Sequence, residues 1–326
     1  MEFIAVNRNE SDKAAWLEDR KHYITGTDAG KLIGVSLWGG KMSVWLDKTG
    51  QAPEIKETEA MKWGKRNEGT ILKAYAEEMD CKLEYVDGYT LVKSEKFPRL
   101  AASLDGWNHT LGIPVDAKNI RWKDEKWGEA FTDDFPAYYK AQLQVQMMVT
   151  GAKSAHLAVL FCGQEFVIYQ MSYDEEMAAK IVEESEDFWR CVESGKNPEA
   201  DGSEESKDFI AAKYKEGKVN EEKAATDEIK VAIEKLIQAK KAKAEAEAEE
   251  TKYANIVKNF LGEATVIPGY CTWKNNKNSI VVNWKGIAEE VMKGWSEEKQ
   301  KELIEHNSST KIGARQLRIT LKGSSF

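Results

Sequence analysis

The stretch between Gly217 and Gly262 contains neither glycine nor proline, and alanine, glutamate and lysine dominate it. Because these three residue types favour helices strongly, the stretch predicts one long helix over about residues 218–261. At a rise of ~1.5 Å per residue, this helix would extend on the order of 60 Å. A helix of that length divides the chain, so the parts before and after it are considered separately below.

A linker precedes the long helix. Residues 196–206, KNPEADGSEES, are polar and rich in turn-forming types. We therefore expect a core over residues 1–200 and a C-terminal extension over residues 201–326. After the long helix, the extension is predicted to contain a hairpin at about 264–285, with an asparagine-rich turn in YCTWKNNKNSIVVNW, a helix at about 286–305 and a final strand at about 314–321.

Apolar side chains recur along the long helix in a partial heptad. Ile229, Leu236 and Val257 share one register, but Lys243 and Glu250 interrupt it. Two interpretations stay open. The helix is either mostly solvated and packed only at its ends, or it associates with a partner or with a second copy of the chain.

The first 200 residues alternate between helix-like and strand-like segments. Residues 11–50 predict a helix, a loop and a second helix, with a helix start at Thr25-Gly26-Thr27-Asp28 and an end at Gly50. Further helices are predicted at 61–79, at 136–150 and before Gly195, and strands at CKLEYV, YTLVKS, LAASLDGW, IPVDAKNI, AHLAVLFC and EFVIYQM. Strands mixed with flanking helices predict an α/β (α+β) core.

Composition excludes several classes of protein. With 42% hydrophobic and 31% charged residues among 326, the chain has the balance of a soluble protein with a substantial core. No apolar run approaches the ~20 residues of a membrane span, and the N-terminus is too charged for a secretory signal. The four cysteines form no CxxC pair, which disfavours a zinc or iron–sulfur site and fits a reducing cytoplasm. The net charge of −8 disfavours a non-specific coat of DNA, although basic residues could still line one groove.

The segment SLDGWNHTLGIPVDAK carries the candidate chemistry. Asp116 and Lys118 are two residues apart in a predicted strand, so they share one face. Asp105 ends the preceding strand, and antiparallel pairing would bring it close to Asp116. Two such carboxylates are suitable ligands for Mg²⁺, and the lysine could orient or deprotonate a water or stabilise developing charge. The alternative is a surface hairpin with an ordinary Asp–Lys pair.

Other segments add residues of suitable type. Glu68, on the helix predicted upstream, could supply a third carboxylate, or it could be a solvated charge. Tyr139, Gln142 and Gln146 share one face of the helix at 136–150, which is either part of a site or a polar face in water. Phosphate-binding residue types occur at three further positions, namely Arg20, Thr27 and Ser103.

Four segments together resemble the YqaJ-type viral recombinase family, which includes phage lambda exonuclease. They are RKHYITGTDAGKLIG, WGKRNEGTILKAYAEE, SLDGWNHTLGIPVDAK and AYYKAQLQVQMMVTG, and their order and spacing agree with the family over about residues 15–190. The resemblance implies a restriction-endonuclease-like core of the PD-(D/E)xK type, with a central mixed sheet between helices. The extension is similar to that of some members of the family.

The resemblance also implies residue roles. Asp105 and Asp116 match the metal-binding acids, Lys118 the catalytic lysine, and Glu68 a further metal or water ligand. Gln142 matches a glutamine that would position the lysine or the nucleophile. The positions that match the 5′-phosphate contacts are Arg20, Thr27 and Ser103. This chain departs from the family in having aspartate where glutamate is frequent at 116, threonine for serine at 27, and Leu104 where proline is common.

The implied activity is a Mg²⁺-dependent 5′-to-3′ exonuclease on linear double-stranded DNA that leaves 3′ overhangs for a single-strand annealing protein. Two Mg²⁺ ions per site, with Mn²⁺ as a substitute, and a homotrimeric ring are expected from the family. So is a location in the cytoplasm of a bacterial host, with a phage or prophage gene. One alternative is a structure-specific endonuclease or repair nuclease of the same fold. Another is a non-catalytic DNA-binding or scaffold protein.

Overall fold

A computed structural model describes residues 4–6, 13–52, 57–86, 89–216, 221–275, 283–308, 320–321 and 324–325. The chain divides into two units, Met1–Lys213 and Tyr214–Phe326. Residues 201–213, which the sequence assigned to the extension, belong to the first unit.

The first unit contains seven helices and eight strands among its described residues. The helices are α1 Lys13–Arg20, α2 Gly26–Leu32, α3 Lys41–Lys48, α4 Glu59–Glu78, α5 Ala137–Thr150, α6 Glu175–Glu193 and α7 Glu204–Lys213. The strands are β1 Ile4–Val6, β2 Leu83–Tyr85, β3 Leu91–Lys93, β4 Ala101–Ala102, β5 Gly106–Asn108, β6 Ile113–Ile120, β7 Ser154–Phe161 and β8 Glu165–Ser172.

A five-stranded mixed sheet forms the centre of this unit. Its order is β2-β5-β6-β7-β8, with β6 and β7 parallel and the other pairs antiparallel. Val115 and Ala158 pack against residues of α4 on one side, whereas Leu157 and Val159 pack against residues of α5 on the other. Successive strand residues point to opposite faces, so β6 directs Asp116 and Lys118 toward the α5 side. The predicted mixed sheet with flanking helices is confirmed.

The region of residues 11–50 forms three short helices, not the two predicted. The start predicted for α2 is correct: Thr25 is its N-cap, and Asp28 completes a capping box. The third helix, α3, begins after Gly40, and its first turn is capped by Asp201, whose Oδ2 accepts a hydrogen bond from Met42 N at 3.4 Å. The helix α2 packs against α5 and α6, and α3 packs against α2, α6 and α7. A second sheet, β1-β3-β4, lies in the same unit.

The helix α7 contributes to the first unit through an aromatic contact. Phe209 lies 5.7 Å from Trp45 of α3, measured between ring centroids, at an angle of 70°. This contact and the cap by Asp201 explain why residues beyond the predicted boundary at 200 belong with the core.

The second unit contains α8 Asp227–Leu261, β9 Val266–Ile267, β10 Cys271–Thr272, α9 Trp284–Val291, α10 Glu297–His306, β11 Thr320–Leu321 and β12 Ser324–Ser325. The long helix is present and begins at Asp227, where Thr226 caps it by accepting a hydrogen bond from Ile229 N at 3.4 Å. Residues 221–226, which we predicted to be helical, are not, and residues 218–220 lie outside the described residues. Only Leu261 is buried in α8. The other residues of the helix are not buried within the second unit, and its association with a partner stays a prediction.

The rest of the second unit differs from the prediction. A hairpin pairs β9 with β10 across a turn at Gly269, where φ is +80°. The asparagine-rich turn that we predicted lies mostly in residues 276–282, outside the described residues. The helix expected at 286–305 is two helices, because Gly294 has φ +89° and Ser296 caps a new start. Of the final strand expected at 314–321, Thr320–Leu321 is described and pairs with β12, and residues 314–319 lie outside the described residues.

None of the helices in the described part of the chain has the length and apolar character needed to cross a bilayer.

Candidate active site

Pairing of β5 with β6 brings two aspartates together. Gly106 lies opposite Val115 in an antiparallel register, so Asp105, just before β5, lies beside Asp116 on β6. The Oδ2 atom of Asp105 accepts a hydrogen bond from Ala117 N at 2.8 Å. Gly106 fits this geometry well, because a Cβ there would lie 3.2 Å from Cδ2 of Leu72, which would have to move slightly. The antiparallel pairing that we expected of these strands is present.

Lys118 lies on the same face of β6 as Asp116 and forms an ion pair with its Oδ2. The Asp116 side chain is 1% exposed, whereas that of Lys118 is 21% exposed. The ammonium also lies 5.7 Å from the ring centroid of Tyr139 on α5, within the range of a cation–π interaction. The lysine is thus held between a buried carboxylate and an aromatic ring, with part of its surface open to a substrate.

Two glutamines of α5 hold the other oxygen of Asp116. Gln142 Nε2 donates to Oδ1 at 2.6 Å, and Gln146 Nε2 donates to the same atom at 2.9 Å. Gln146 Nε2 also lies 3.4 Å from the carbonyl oxygen of Ser103. The face of Tyr139, Gln142 and Gln146 is therefore part of the site and not a solvated surface.

These contacts refine the residues expected from the sequence. The hydrogen bond of Gln142 goes to Asp116, whereas the resemblance implied a role toward Lys118 or the nucleophile. The sequence placed Gln146 on this face but assigned it no role of its own, although its position one turn after Gln142 was a usable signal. Its side chain is 1% exposed, so its amide is committed to this buried network.

Negative charge accumulates around Asp105. Burial, followed by the carboxylates of Asp116 and Glu68, raises the pKa of Asp105 to about 8, although Lys118 opposes the shift. Burial of the ammonium lowers the pKa of Lys118, but the same carboxylates outweigh burial and raise it. Lys118 is therefore protonated at neutral pH in this arrangement, which suits a hydrogen-bond donor to phosphate better than a general base.

The acids have the donor chemistry of a divalent cation site. Mg²⁺ is commonly held by one or two carboxylates and completes its shell with water and phosphate oxygens. Asp105 and Asp116 provide two such groups side by side. Burial and, after it, the repulsion of Asp116 raise the pKa of Asp105, and a cation would offset that repulsion. Within the described ranges, no three acidic, histidine or cysteine side chains are grouped to hold a metal ion. Glu68 acts on the pair through its charge, and its role as a third ligand stays a prediction.

The three residues expected to bind phosphate lie in two places. Arg20, at the end of α1, donates from Nη2 to Thr25 Oγ1 at 3.3 Å, and its guanidinium lies 4.4 Å from the ring centroid of Trp16. The exposed Thr27 places its Oγ1 3.4 Å from the same Thr25 atom. Ser103 lies between β4 and β5, and its Oγ is buried without a hydrogen-bond partner in the structure. Arg20 and Thr27 thus form one group, and Ser103 joins the aspartate cluster through Gln146.

Sequence reasoning missed one charged residue behind the Arg20 group. Lys48, at the end of α3, is buried and forms an ion pair with the buried Asp28. The sequence noted Asp28 only as part of a helix start. The signal for Lys48 was weak, since a lysine in the last turn of a helix is ordinarily a solvated residue that complements the helix dipole.

Comparisons with known proteins identify the domain. Residues 15–153 match the YqaJ-like viral recombinase domain family. A curated relative, "Uncharacterized protein YqaJ" from Bacillus subtilis (strain 168), is 26% identical over 271 residues, which are 80% of this chain and 82% of the relative.

Similar solved structures are more distant. An alkaline exonuclease (LHK-Exo) from Laribacter hongkongensis superposes with a TM-score of 0.44 at 15% identity, over 62% of this chain and 98% of that one. A phage related exonuclease from Haemophilus somnus 129PT gives a TM-score of 0.42 at 13% identity, over 55% of this chain and 98% of that one.

The family match covers every predicted site residue, from Arg20 to Gln142. It also covers β5, β6 and α5, the elements that assemble the Asp105–Asp116–Lys118 cluster. Residues 15–153 of this chain match the YqaJ-like viral recombinase domain family, as the resemblance of the four sequence segments predicted.

Proposed function

We propose that this chain is a Mg²⁺-dependent exonuclease that degrades one strand of linear double-stranded DNA from its 5′ end. The observation that carries the proposal is the cluster of Asp105, Asp116 and Lys118 on paired strands of a YqaJ-like viral recombinase domain. The product is a 3′ overhang, which a single-strand annealing protein would bind in recombination.

The reaction is the hydrolysis of a phosphodiester. A water oxygen forms a bond to phosphorus while the bond to the leaving oxygen breaks, and negative charge grows on the phosphate oxygens. Lys118 donates to these oxygens, because its ammonium is protonated and 21% of its side chain is exposed. Gln142 and Gln146 keep Asp116 in place from the opposite side.

A divalent cation held by Asp105 and Asp116 would supply a Lewis acid and lower the pKa of a bound water. We expect two Mg²⁺ ions per site, with Glu68 as a further ligand and Mn²⁺ as a substitute. The positive charge of such ions would offset the negative charge of the carboxylates of Asp105, Asp116 and Glu68. The described cluster itself contains one ammonium group, that of Lys118, for these three carboxylates.

The 5′-to-3′ direction of degradation would be set by recognition of the phosphate group at the 5′ end of the DNA. Guanidinium and hydroxyl groups are strong donors to a terminal phosphate. Arg20, Thr27 and Ser103 supply these groups, and we propose that they bind the 5′-phosphate. A homotrimeric ring in the bacterial cytoplasm, encoded by a phage or prophage, would confine positive charge to a channel and reconcile DNA binding with the net charge of −8.

The test is a time course on linear duplex carrying a 5′-phosphate or a 5′-hydroxyl and a labelled 3′ end, with a closed circular duplex as control. We expect Mg²⁺-dependent shortening from the 5′ end, faster for the phosphorylated end, and no reaction with chelator or on the circle. Cleavage of the circle would contradict the proposal and favour the endonuclease alternative. Equal rates for both ends would contradict the phosphate anchor.

A matched pair of lysine variants checks the site. Lys118→Met keeps the apolar stem and should abolish cleavage while DNA binding persists. Lys123→Met, which removes a surface pair with Glu165, should cleave at the wild-type rate. Normal cleavage by Lys118→Met would show that the assigned site is wrong. No cleavage by the wild type with Mg²⁺ or Mn²⁺, together with retained DNA binding, would favour the non-catalytic alternative.

A further inference from the structure

Arg20 and Thr27, the proposed 5′-phosphate contacts on α1 and α2, meet at one buried side chain. Thr25 Oγ1 accepts a hydrogen bond from Arg20 Nη2 at 3.3 Å and lies 3.4 Å from Thr27 Oγ1. Thr25 is 4% exposed and so is shielded from solvent, whereas Thr27 faces it. The orientation of Thr25 therefore influences both anchoring side chains.

Asp28 sets the orientation of Thr25. Its Oδ2 lies 2.8 Å from Thr25 Oγ1 and 3.0 Å from Thr25 N, and an ionised carboxylate can only accept. A hydroxyl has one hydrogen, so Thr25 gives it to Asp28 and keeps its lone pairs for Arg20. A residue at position 28 that could donate would allow the opposite arrangement, in which the hydroxyl hydrogen points at the guanidinium.

Lys48 fixes Asp28 and Arg20 at the same time. Its Nζ lies 2.7 Å from Asp28 Oδ2 and donates to the backbone oxygen of Arg20 at 3.1 Å. The side chains of Lys48 and Asp28 are 1% and 8% exposed. One buried ion pair thus joins the end of α1, the start of α2 and the end of α3.

We propose that Asp28 and Lys48 are positioning residues for the 5′-phosphate contacts, and that they act through Thr25. The inference rests on the proposed function, because it assigns Arg20 and Thr27 to the terminal phosphate. Neither Asp28 nor Lys48 touches the DNA. Their pair keeps the Arg20 guanidinium and the Thr27 hydroxyl in the geometry that distinguishes a phosphorylated end from a hydroxyl end.

A purely structural role is the competing explanation, and it predicts different behaviour. Removing one partner of a buried ion pair destabilises a protein strongly, whereas replacing both by uncharged residues costs much less. A structural role would therefore be restored in the double variant. A positioning role would not be restored, because the double variant still lacks the carboxylate that orients Thr25.

The experiment compares Asp28→Asn, Lys48→Met and the double variant with the wild type. The control is Lys207→Met, which removes a lysine from an exposed pair with Glu204. The readout is the ratio of initial rates on duplex ends carrying a 5′-phosphate and a 5′-hydroxyl, with KM and kcat determined for each. Thermal unfolding identifies any variant that does not fold at the assay temperature.

We expect the double variant to fold and to lose about tenfold of the preference for the phosphorylated end, the effect of one charge-assisted hydrogen bond. The loss should appear mainly in KM for the phosphorylated end, while the rate on the hydroxyl end and the ratio for Lys207→Met stay at wild-type values. A double variant with wild-type preference would overturn the inference and leave the proposed function intact. A wild type without preference would overturn the phosphate anchor itself, and the inference with it.

Discussion

Gly26 of α2 lies directly against Gln142 of α5. A Cβ atom at Gly26 would lie 2.8 Å from Cγ of Gln142 and 3.0 Å from its Cα. Glycine is the residue that allows this approach, because any side chain at 26 would overlap the backbone of α5. The contact joins the residues around Thr25 that we propose to bind the 5′-phosphate to Gln142, the glutamine that donates to Asp116.

Gly26→Ala should therefore displace both the proposed phosphate-binding residues around Thr25 and the Asp116 cluster. We expect the free energy of unfolding to fall by about 1–3 kcal/mol, as for an overpacked core, and cleavage to slow. Gly30→Ala is the matched control one turn later, where the nearest atom would be an ordinary 3.7 Å away. It should be neutral or stabilise by up to about 1 kcal/mol. Urea unfolding and initial rates measure both, and equal behaviour of the two variants would contradict the close contact.

Gln146→Met should slow cleavage although Gln146 is buried behind the acids. The variant keeps the volume but removes one of two donors to Asp116 Oδ1, which costs about 1–3 kcal/mol for a charged acceptor. We expect a fall in kcat of about tenfold or more. Gln144→Met is the control, since Gln144 is equally buried but accepts from Asp174 N. If both variants lower kcat alike, the effect is a general one of the α5 core.

Asp105→Asn should stabilise the protein in chelator at pH 8. The folded state holds the pKa of Asp105 near 8 and the unfolded state near 3.8, so ionisation above pH 3.8 progressively opposes folding. The amide of the Asp105→Asn variant does not ionise, so this loss of stability does not occur in the variant. We expect Tm to rise by at least roughly 2–4 °C, because about 1 kcal/mol gives such a rise in a domain of this size and the pKa difference of Asp105 corresponds to more than that.

Mg²⁺ should reverse the order of Tm values. A cation held by the paired carboxylates, as we propose, should stabilise the wild type more than Asp105→Asn. Asp133→Asn, at an exposed acid that pairs with Lys140, is the control and should respond to Mg²⁺ as the wild type does. An identical Mg²⁺ response in Asp105→Asn would argue against Asp105 as a ligand. Differential scanning fluorimetry in chelator and in Mg²⁺ measures all three proteins.

Acid should weaken the protein through Asp28. Burial raises the pKa of this carboxyl, but Lys48 and Arg20 outweigh burial and lower it from 3.8 to about 2. A lowered pKa stabilises the fold above pH 3.8, and this contribution is lost as pH falls toward 2. The pKa shift of Asp28 corresponds to roughly 2 kcal/mol of the free energy of unfolding.

Urea unfolding between pH 5.5 and pH 2 measures this effect. The wild type should lose more free energy of unfolding over this range than Asp28→Asn, whose residue 28 does not titrate. Parallel curves for the two proteins would contradict the lowered pKa.

Local patterns predicted much of the core. The two-residue spacing of Asp116 and Lys118 places them on one face of β6, and the Thr25 signal marks the start of α2. The helix α4 and the strands β6, β7 and β8 also lie where their periodicity indicated. These features depend on residues only a few positions apart, whose spacing in the sequence matches the repeat of a helix or a strand.

The extension was predicted less well, because several local signals competed there. Nothing in the composition distinguishes residues 221–226 from helix, yet the cap at Thr226 starts α8 after them. The hairpin of β9 and β10 turns at Gly269, where a positive φ costs glycine little. Gly294 divides the last predicted helix for the same reason.

The sequence by itself determined which residues could do chemistry and which face of a strand or helix each one occupies. Only the tertiary structure decided which of them meet. Gln146 reaches Asp116 across 30 positions, and Lys48 reaches Asp28 from another helix. These side-chain contacts depend on how α5 packs on β6 and β7 and on how α3 packs beside α2. Packing is a property of the whole core, where burial and the exclusion of water select one arrangement, so no short pattern contains it.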